Sequence, residues 1–262
     1  ASGKLVFQEG ALVRAARNGT WVVLDELNLA PSEVLEALNR LLDDNRELFI
    51  PDTNTVIKAH PDFMVFATQN PAGGLYGGRK QLSRAFRNRF VEVFVDDLPQ
   101  DELATIINTR CAVAPSMCKA MLAVFNELQA RRSQEAVLAG KRSFMTVRDL
   151  IRWGHRQPDS MQELALEGYM LLAERLRKPA DQEDVRKALA KHCKLKDGLV
   201  IDYQNDPLVL ALIDKAKTFT PEKQAQLPQI TWTQAACRLA ALAARCIKHD
   251  EPLLLVGETG CG

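Results

Sequence analysis

The feature that most restricts the fold is Trp21-Val22-Val23-Leu24-Asp25-Glu26, an apolar run that ends abruptly in two adjacent carboxylates. A short run with β-branched residues at its centre fits a strand buried on both faces, as in a parallel sheet. The two carboxylates then stand at the carboxyl edge of that sheet, where open α/β folds bind ligands. Asp25 can there hold Mg²⁺ directly or through water, and Glu26 can polarise a water that attacks a γ-phosphate. Taken alone the motif is weak, because an acidic pair also caps a helix that follows a strand.

The flanking residues supply the rest of an α/β unit. Residues 9–18 carry apolar side chains at helical spacing and stop at Gly19, and Pro31-Ser32 opens a second amphipathic helix with Val34, Leu35, Leu38, Leu41 and Leu42 on one side. Residues 46–59 hold two β-rich runs around Pro51-Asp52-Thr53-Asn54, a hairpin. A buried strand over 63–68 follows, then a glycine-rich loop over 73–78, a basic helix over about 80–88 and a strand over 90–95. Beyond Pro99 only helical patterning is found, over 100–113, 116–132, 146–155, 160–177 and 181–193. A further helix is predicted over about 207–217, then a long apolar helix capped by Thr231 and a last strand over 253–256.

Three further groups converge on phosphate chemistry. Asn70 ends the 63–68 strand, so its amide stands beside Asp25 if the two strands are neighbours and can orient an attacking water; an Asx-Pro turn with Pro71 is the plainer reading. Arg84, Arg87 and Arg89 lie in LSRAFRNRF, where an arginine brought to a γ-phosphate stabilises transition-state charge. Arg89 is the best placed of the three because it directly precedes the strand starting at Phe90; a solvated basic face is the alternative for the others. Gly257-Glu258-Thr259-Gly260-Cys261-Gly262 follows an apolar strand and supplies six residues of a phosphate-cradling loop, one short of its lysine. In a single P-loop ATPase that loop precedes the acidic strand, whereas here it follows. The order implies that one module ends in this chain and another begins, with the other half of the Asp25 site lying before residue 1.

Composition narrows the partners. With 34 basic and 33 acidic residues the net charge is +1, which provides no long-range field toward nucleic acid or an anionic membrane. Hydrophobic residues make up 47%, enough for two compact units, yet no run approaches the ~18 apolar residues of a membrane span. The six cysteines show no CxxC pair and read as reduced thiols, and the four histidines have no metal-ligand spacing. Arg131, Arg132, Lys141 and Arg142 could touch RNA, but a solvated loop accounts for them as well.

DELNLAP, the hairpin before FATQNP, YGGRKQLSRAFRNRF and SFMTVRDLIRW together resemble an AAA+ module of the helix-2-insert branch, and within it the midasin family of dynein-related ATPases with six tandem modules. The resemblance implies an α/β fold: a P-loop ATPase core with a partial parallel sheet, flanking helices and a hairpin, then an all-helical lid. It assigns 1–98 to the core, 99–194 to the lid, 195–230 to a linker with one helix, and 231–262 to the start of the next core. By that resemblance Asp25 and Glu26 are Walker B, Asn70 is sensor 1, Arg89 is the arginine finger toward a neighbouring module, and Arg148 is sensor 2, in cis or in trans. A helix-face ion pair with Asp149 or an acidic neighbour is the alternative for Arg148. The resemblance further implies ATP and Mg²⁺ as cofactors and adjacent modules of a pseudo-hexameric ring as partners. Its implied role is mechanical release of assembly factors from the large (60S) preribosomal subunit in the nucleus, without membrane attachment or sequence-specific nucleic-acid binding. A catalytically silent module, or a helicase- or chelatase-type relative, remains an alternative. The isolated segment is expected to be inactive.

Overall fold

The structure, a computed structural model, describes residues 8–70, 79–139, 145–218 and 231–258. The chain forms two compact units, Ala1–Asp96 and Asp97–Gly262.

In the first unit, α1 (Ala11–Asn18) ends at Gly19, which adopts φ +72° and returns its N–H to the Ala15 carbonyl. A side chain at Gly19 would place its Cβ 2.4 Å from the His60 ring, so glycine is required both for the left-handed turn and for the close approach. Strands β1 (Val22–Leu24) and β4 (Val65–Ala67) pair in parallel, with Val22 opposite Val65 and Leu24 opposite Ala67. Helix α2 (Ser32–Leu42) lies between them in sequence. Strands β2 (Glu47–Ile50) and β3 (Thr55–Lys58) form the expected antiparallel hairpin, its turn closed by Asn54 at φ +49°. A short α3 (Arg84–Arg87) is capped by Ser83, whose Oγ accepts from Phe86 N.

The apolar alternation of β1 and β4 sends Val22, Leu24, Val65 and Ala67 toward a core of Ala16, Leu27, Leu38, Leu41, Phe63 and Phe86. The other face is open: Trp21 and Val23 are 71% and 65% exposed, and Trp21 stacks obliquely on Phe66 at 5.4 Å. Burial on both faces is therefore not found, because among the described residues nothing covers that side. The strands expected over 90–95 and 253–256 are also not formed; Val91, Val93 and Val95 are at least 79% exposed, and Leu254 and Val256 are 84% and 78% exposed. An apolar segment becomes a strand only when a neighbour completes its hydrogen-bond ladder, and neither segment has one among the described residues.

The second unit is helical: α4 (Gln100–Arg110), α5 (Pro115–Ala139), α6 (Val147–His155), α7 (Met161–Leu172), α8 (Pro179–His192), α9 (Pro207–Lys217) and α10 (Gln234–Lys248). Its core gathers Ile107, Met121, Val124, Leu150, Trp153, Leu164, Val185 and Leu189, with Trp153 Nε1 donating to the Leu164 carbonyl at 2.9 Å. Helix α6 starts with a capping box, Thr146 and Asp149 each bonding the other's main chain. Helix α10 packs on α9 through Val209, Cys237 and Ala241. Among the described residues five cysteines are free thiols, four of them buried. Among the described residues no helix is long and apolar enough to cross a membrane.

Candidate functional site

The parallel pairing of β1 and β4 brings their carboxyl ends side by side, and Thr68, just past β4, ties them together. Its N–H donates to the Leu24 carbonyl at 3.0 Å and its carbonyl accepts from Leu27 N at 2.9 Å. Its hydroxyl donates to Asp25 Oδ1 at 2.6 Å and accepts from the Glu26 main-chain N–H at 2.9 Å. Asp25 is exposed, and its second carboxylate oxygen has no hydrogen-bond partner among the described residues.

Glu26 sits at φ +52°, a left-handed conformation that costs a non-glycine residue of order 1 kcal/mol. From that turn the side chain meets Asn70, whose Nδ2 donates to Glu26 Oε1 at 3.2 Å. The same oxygen accepts from Arg79 Nη2 at 2.8 Å. Asn28, 1% exposed, braces both donors. Its Nδ2 donates to the Asn70 carbonyl at 2.8 Å, and its carbonyl accepts from Lys80 N, next to Arg79, at 2.9 Å.

Two concavities flank this cluster within the first unit. A groove of about 570 Å³ is lined by Asp25, Glu26 and apolar side chains including Leu12, Leu29 and Val34. A polar pocket of about 260 Å³ is lined by Asn28, Gln69, Asn70, Lys80, Arg87 and Glu92 among others. An exposed carboxylate, a second carboxylate and an amide at the edge of a parallel sheet suit cation and water handling at a phosphate.

Among the described residues none of the remaining candidates has a hydrogen bond to this cluster. Arg89, just past the end of α3, is exposed and donates to the Ala85 carbonyl of that helix at 2.6 Å, while Arg87 grips Glu92 at 2.6 and 3.0 Å. Arg148 is exposed on α6; the alternative ion pair with Asp149 is not made, since Asp149 is taken by Arg175 at 2.9 Å and by Thr146. Gly257 and Glu258 are exposed, and Thr259, Gly260, Cys261 and Gly262 lie outside the described residues, as do the 73–78 loop, Lys141 and Arg142. Thr68, Asn28 and Arg79 were not expected. Their one sequence signal is polarity at positions adjoining the strand ends, in FATQNP, DELNLAP and GGRK.

A partial parallel sheet with carboxylates at its edge, followed by a separate helical unit, defines an AAA ATPase core with its lid. The description "AAA domain (dynein-related subfamily)" matches residues 1–90, and "Midasin AAA lid domain" matches residues 102–196. The chain is 56% identical to Midasin of Dictyostelium discoideum over 99% of its own length and 39% identical to Midasin of Giardia intestinalis over all of it. An uncharacterised protein of Staphylococcus haemolyticus is 34% identical over 56% of this chain and 57% of its own. The chain thus belongs to the midasin family of dynein-related AAA ATPases. It spans 4% and 6% of the lengths of the two midasins, so it corresponds to a small portion of those proteins.

Proposed function

We propose that the first unit carries the hydrolytic half of one ATPase site in a multi-module AAA ring, with Glu26 as the group that polarises the attacking water and Asn70 as the amide that orients it. The observation that carries this reading is the convergence of Asp25, Glu26 and Asn70 at the carboxyl ends of two paired parallel strands, where Asn70 reaches Glu26 at 3.2 Å. Mg²⁺ suits the donor set: it takes one or two carboxylates and completes its shell with waters and phosphates, and Asp25 offers one hard oxygen beyond the one held by Thr68. Among the described residues no three His, Cys, Asp or Glu side chains gather into an all-protein metal site, so the ion would arrive with the nucleotide. Bound there, Mg²⁺ supplies neutralisation of charge on the phosphates.

Arg89 then serves the nucleotide of a neighbouring module, Arg148 acts as the lid's phosphate sensor, and residues 257–262 open the phosphate loop of the following module. The biological role that fits the family is mechanical release of assembly factors from the large preribosomal particle in the nucleus. Support for it is the identity to the two midasins over essentially the whole chain.

The test is Glu26→Gln in the full-length protein that carries this module. ATP binding should persist while turnover falls by about two to three orders of magnitude at this site, as expected for removal of a positioned base. ATP turnover and factor release both equal to wild type would remove Glu26 from that role.

A further inference from the structure

We infer that Asn28 is a positioning residue for this site: its buried amide holds the Asn70 carbonyl and so sets where the Asn70 side chain can orient the attacking water. The inference rests on the reading of Asn70 given above and names the residue through which that amide is aligned. Asn28 is 1% exposed and lies in the short turn Leu27–Leu29 that follows Glu26. Its Nδ2 donates to the Asn70 carbonyl at 2.8 Å, across 42 positions of sequence. Pro71 follows Asn70 and favours an extended backbone there, so fixing the carbonyl also fixes the direction in which the Asn70 Cβ leaves the main chain. Both asparagines border the polar pocket of about 260 Å³, which gives Asn70 room to shift once the bond is lost.

Asn28 is itself held in place. Its carbonyl accepts from Lys80 N at 2.9 Å, and the preceding Leu27 N–H donates to the Thr68 carbonyl at 2.9 Å. The segments that leave β1, leave β4 and lead into α3 are therefore tied together around this residue. Its amide has one workable orientation, because turning it over would set Oδ1 against the Asn70 carbonyl, acceptor against acceptor. In that orientation Oδ1 has no hydrogen-bond donor among the described residues, which is costly for a buried acceptor. A role in packing alone would be met by an apolar side chain without that cost. The amide is kept for its Nδ2, and Nδ2 acts on Asn70.

The experiment measures ATP turnover of the full-length protein in four forms: wild type, Asn28→Ser, Asn70→Ala and the double variant. The part of kcat that Asn70→Ala removes is the contribution of Asn70 at this site. Asn28→Ser is too short to reach the Asn70 carbonyl, and it should lower that part about tenfold at unchanged KM, within the ~10²-fold loss that a misplacement of about 1 Å brings. In the Asn70→Ala background it should change turnover less than twofold, since Asn28 acts only through Asn70. A further fall in the double variant, or an effect confined to KM, overturns the inference, because Asn28 would then support the fold or nucleotide binding at large. Turnover of Asn28→Ser equal to wild type overturns it as well, with the role of Asn70 left standing. If Asn70→Ala itself turns over like wild type, Asn70 does not orient the water and the inference falls with that reading. One measurement needs no substitution: hydrogen exchange of the Asn28 side-chain amide in the 262-residue chain, read by NMR. It should be at least about tenfold slower than at the exposed Asn45, as expected of a buried, bonded amide, and exchange as fast as at Asn45 would overturn the tether.

Discussion

Arg245→Met is the sharpest test of how the second unit is held together. Arg245 on α10 donates to Glu167 Oε1 on α7 at 2.9 Å and to Asp206 Oδ2, the N-cap of α9, at 2.7 Å. Arg156, at the end of α6, bonds the other Glu167 oxygen at 2.9 Å and both Glu251 oxygens at 3.1 and 2.6 Å. These five side chains are no more than 11% exposed, so the two cations and three carboxylates compensate each other out of water. Methionine preserves the aliphatic stem but strips Asp206 of its cation, while Glu167 keeps Arg156. Removing one partner of a buried pair costs about 3–5 kcal/mol, and because Glu167 stays paired the lower end, ~3 kcal/mol, applies. For a unit of this size that is a fall of roughly 6–12 °C in Tm. Urea unfolding followed by far-UV circular dichroism gives the change. Adding Asp206→Asn should recover about 1–2 kcal/mol, since asparagine also caps α9 and leaves no orphan charge. A loss below ~1 kcal/mol, or a second substitution that only worsens it, would refute the idea that charge compensation docks α9 and α10 on the lid helices.

Other outcomes can be checked on the same chain. Gly19→Ala should cost at least ~1–2 kcal/mol in urea unfolding, because it forces a side chain into φ +72° and against His60; an unchanged midpoint would contradict the assigned turn. Lys191, with His192 and Arg131, holds the Glu127 carboxyl down to about 2. A depressed carboxyl stabilises the fold above the ordinary carboxylate range, and that stabilisation drains away as pH falls from about 4.5 toward about 2; Glu127→Gln should therefore remove ~1 kcal/mol at pH 7, after solvent screening, and flatten the urea midpoint across that acid window. Burial pushes the Cys193 thiol up to about 11, so iodoacetamide at pH 8 should leave it unmodified in the folded chain and label it in urea, as read by peptide mass spectrometry.

What could be read from the residues follows from the range of the interactions involved. The hairpin at 47–58 and the helices of the second unit announce themselves through local periodicity and turn chemistry, and α9 runs over Pro207–Lys217 as the spacing predicts. Helix α5 continues to Ala139 where the apolar pattern stops near 132, because helical propensity carries it past the last patterned turn. The segments 90–95 and 253–256 have strand composition but form no strand and stand largely exposed, since pairing depends on a partner and not on the segment's own residues. At the site, Asp25, Glu26 and Asn70 were visible because each adjoins an apolar strand. Thr68, Asn28 and Arg79 were not, because their roles exist only through contacts to residues more than forty positions away. Arg89 shows the reverse limit: a position next to a predicted strand does not fix where the guanidinium points, and here it turns back onto α3, the helix just before it.

The account stands on Asp25, Glu26 and Asn70 forming one half of a nucleotide site. A structure of the full-length ring with a non-hydrolysable ATP analogue and Mg²⁺ addresses this directly. The account predicts a nucleotide whose γ-phosphate lies against these three residues, with the metal beside Asp25. Nucleotide bound elsewhere in the module, or bound here with Asp25 and Asn70 out of reach of the phosphates, would contradict it.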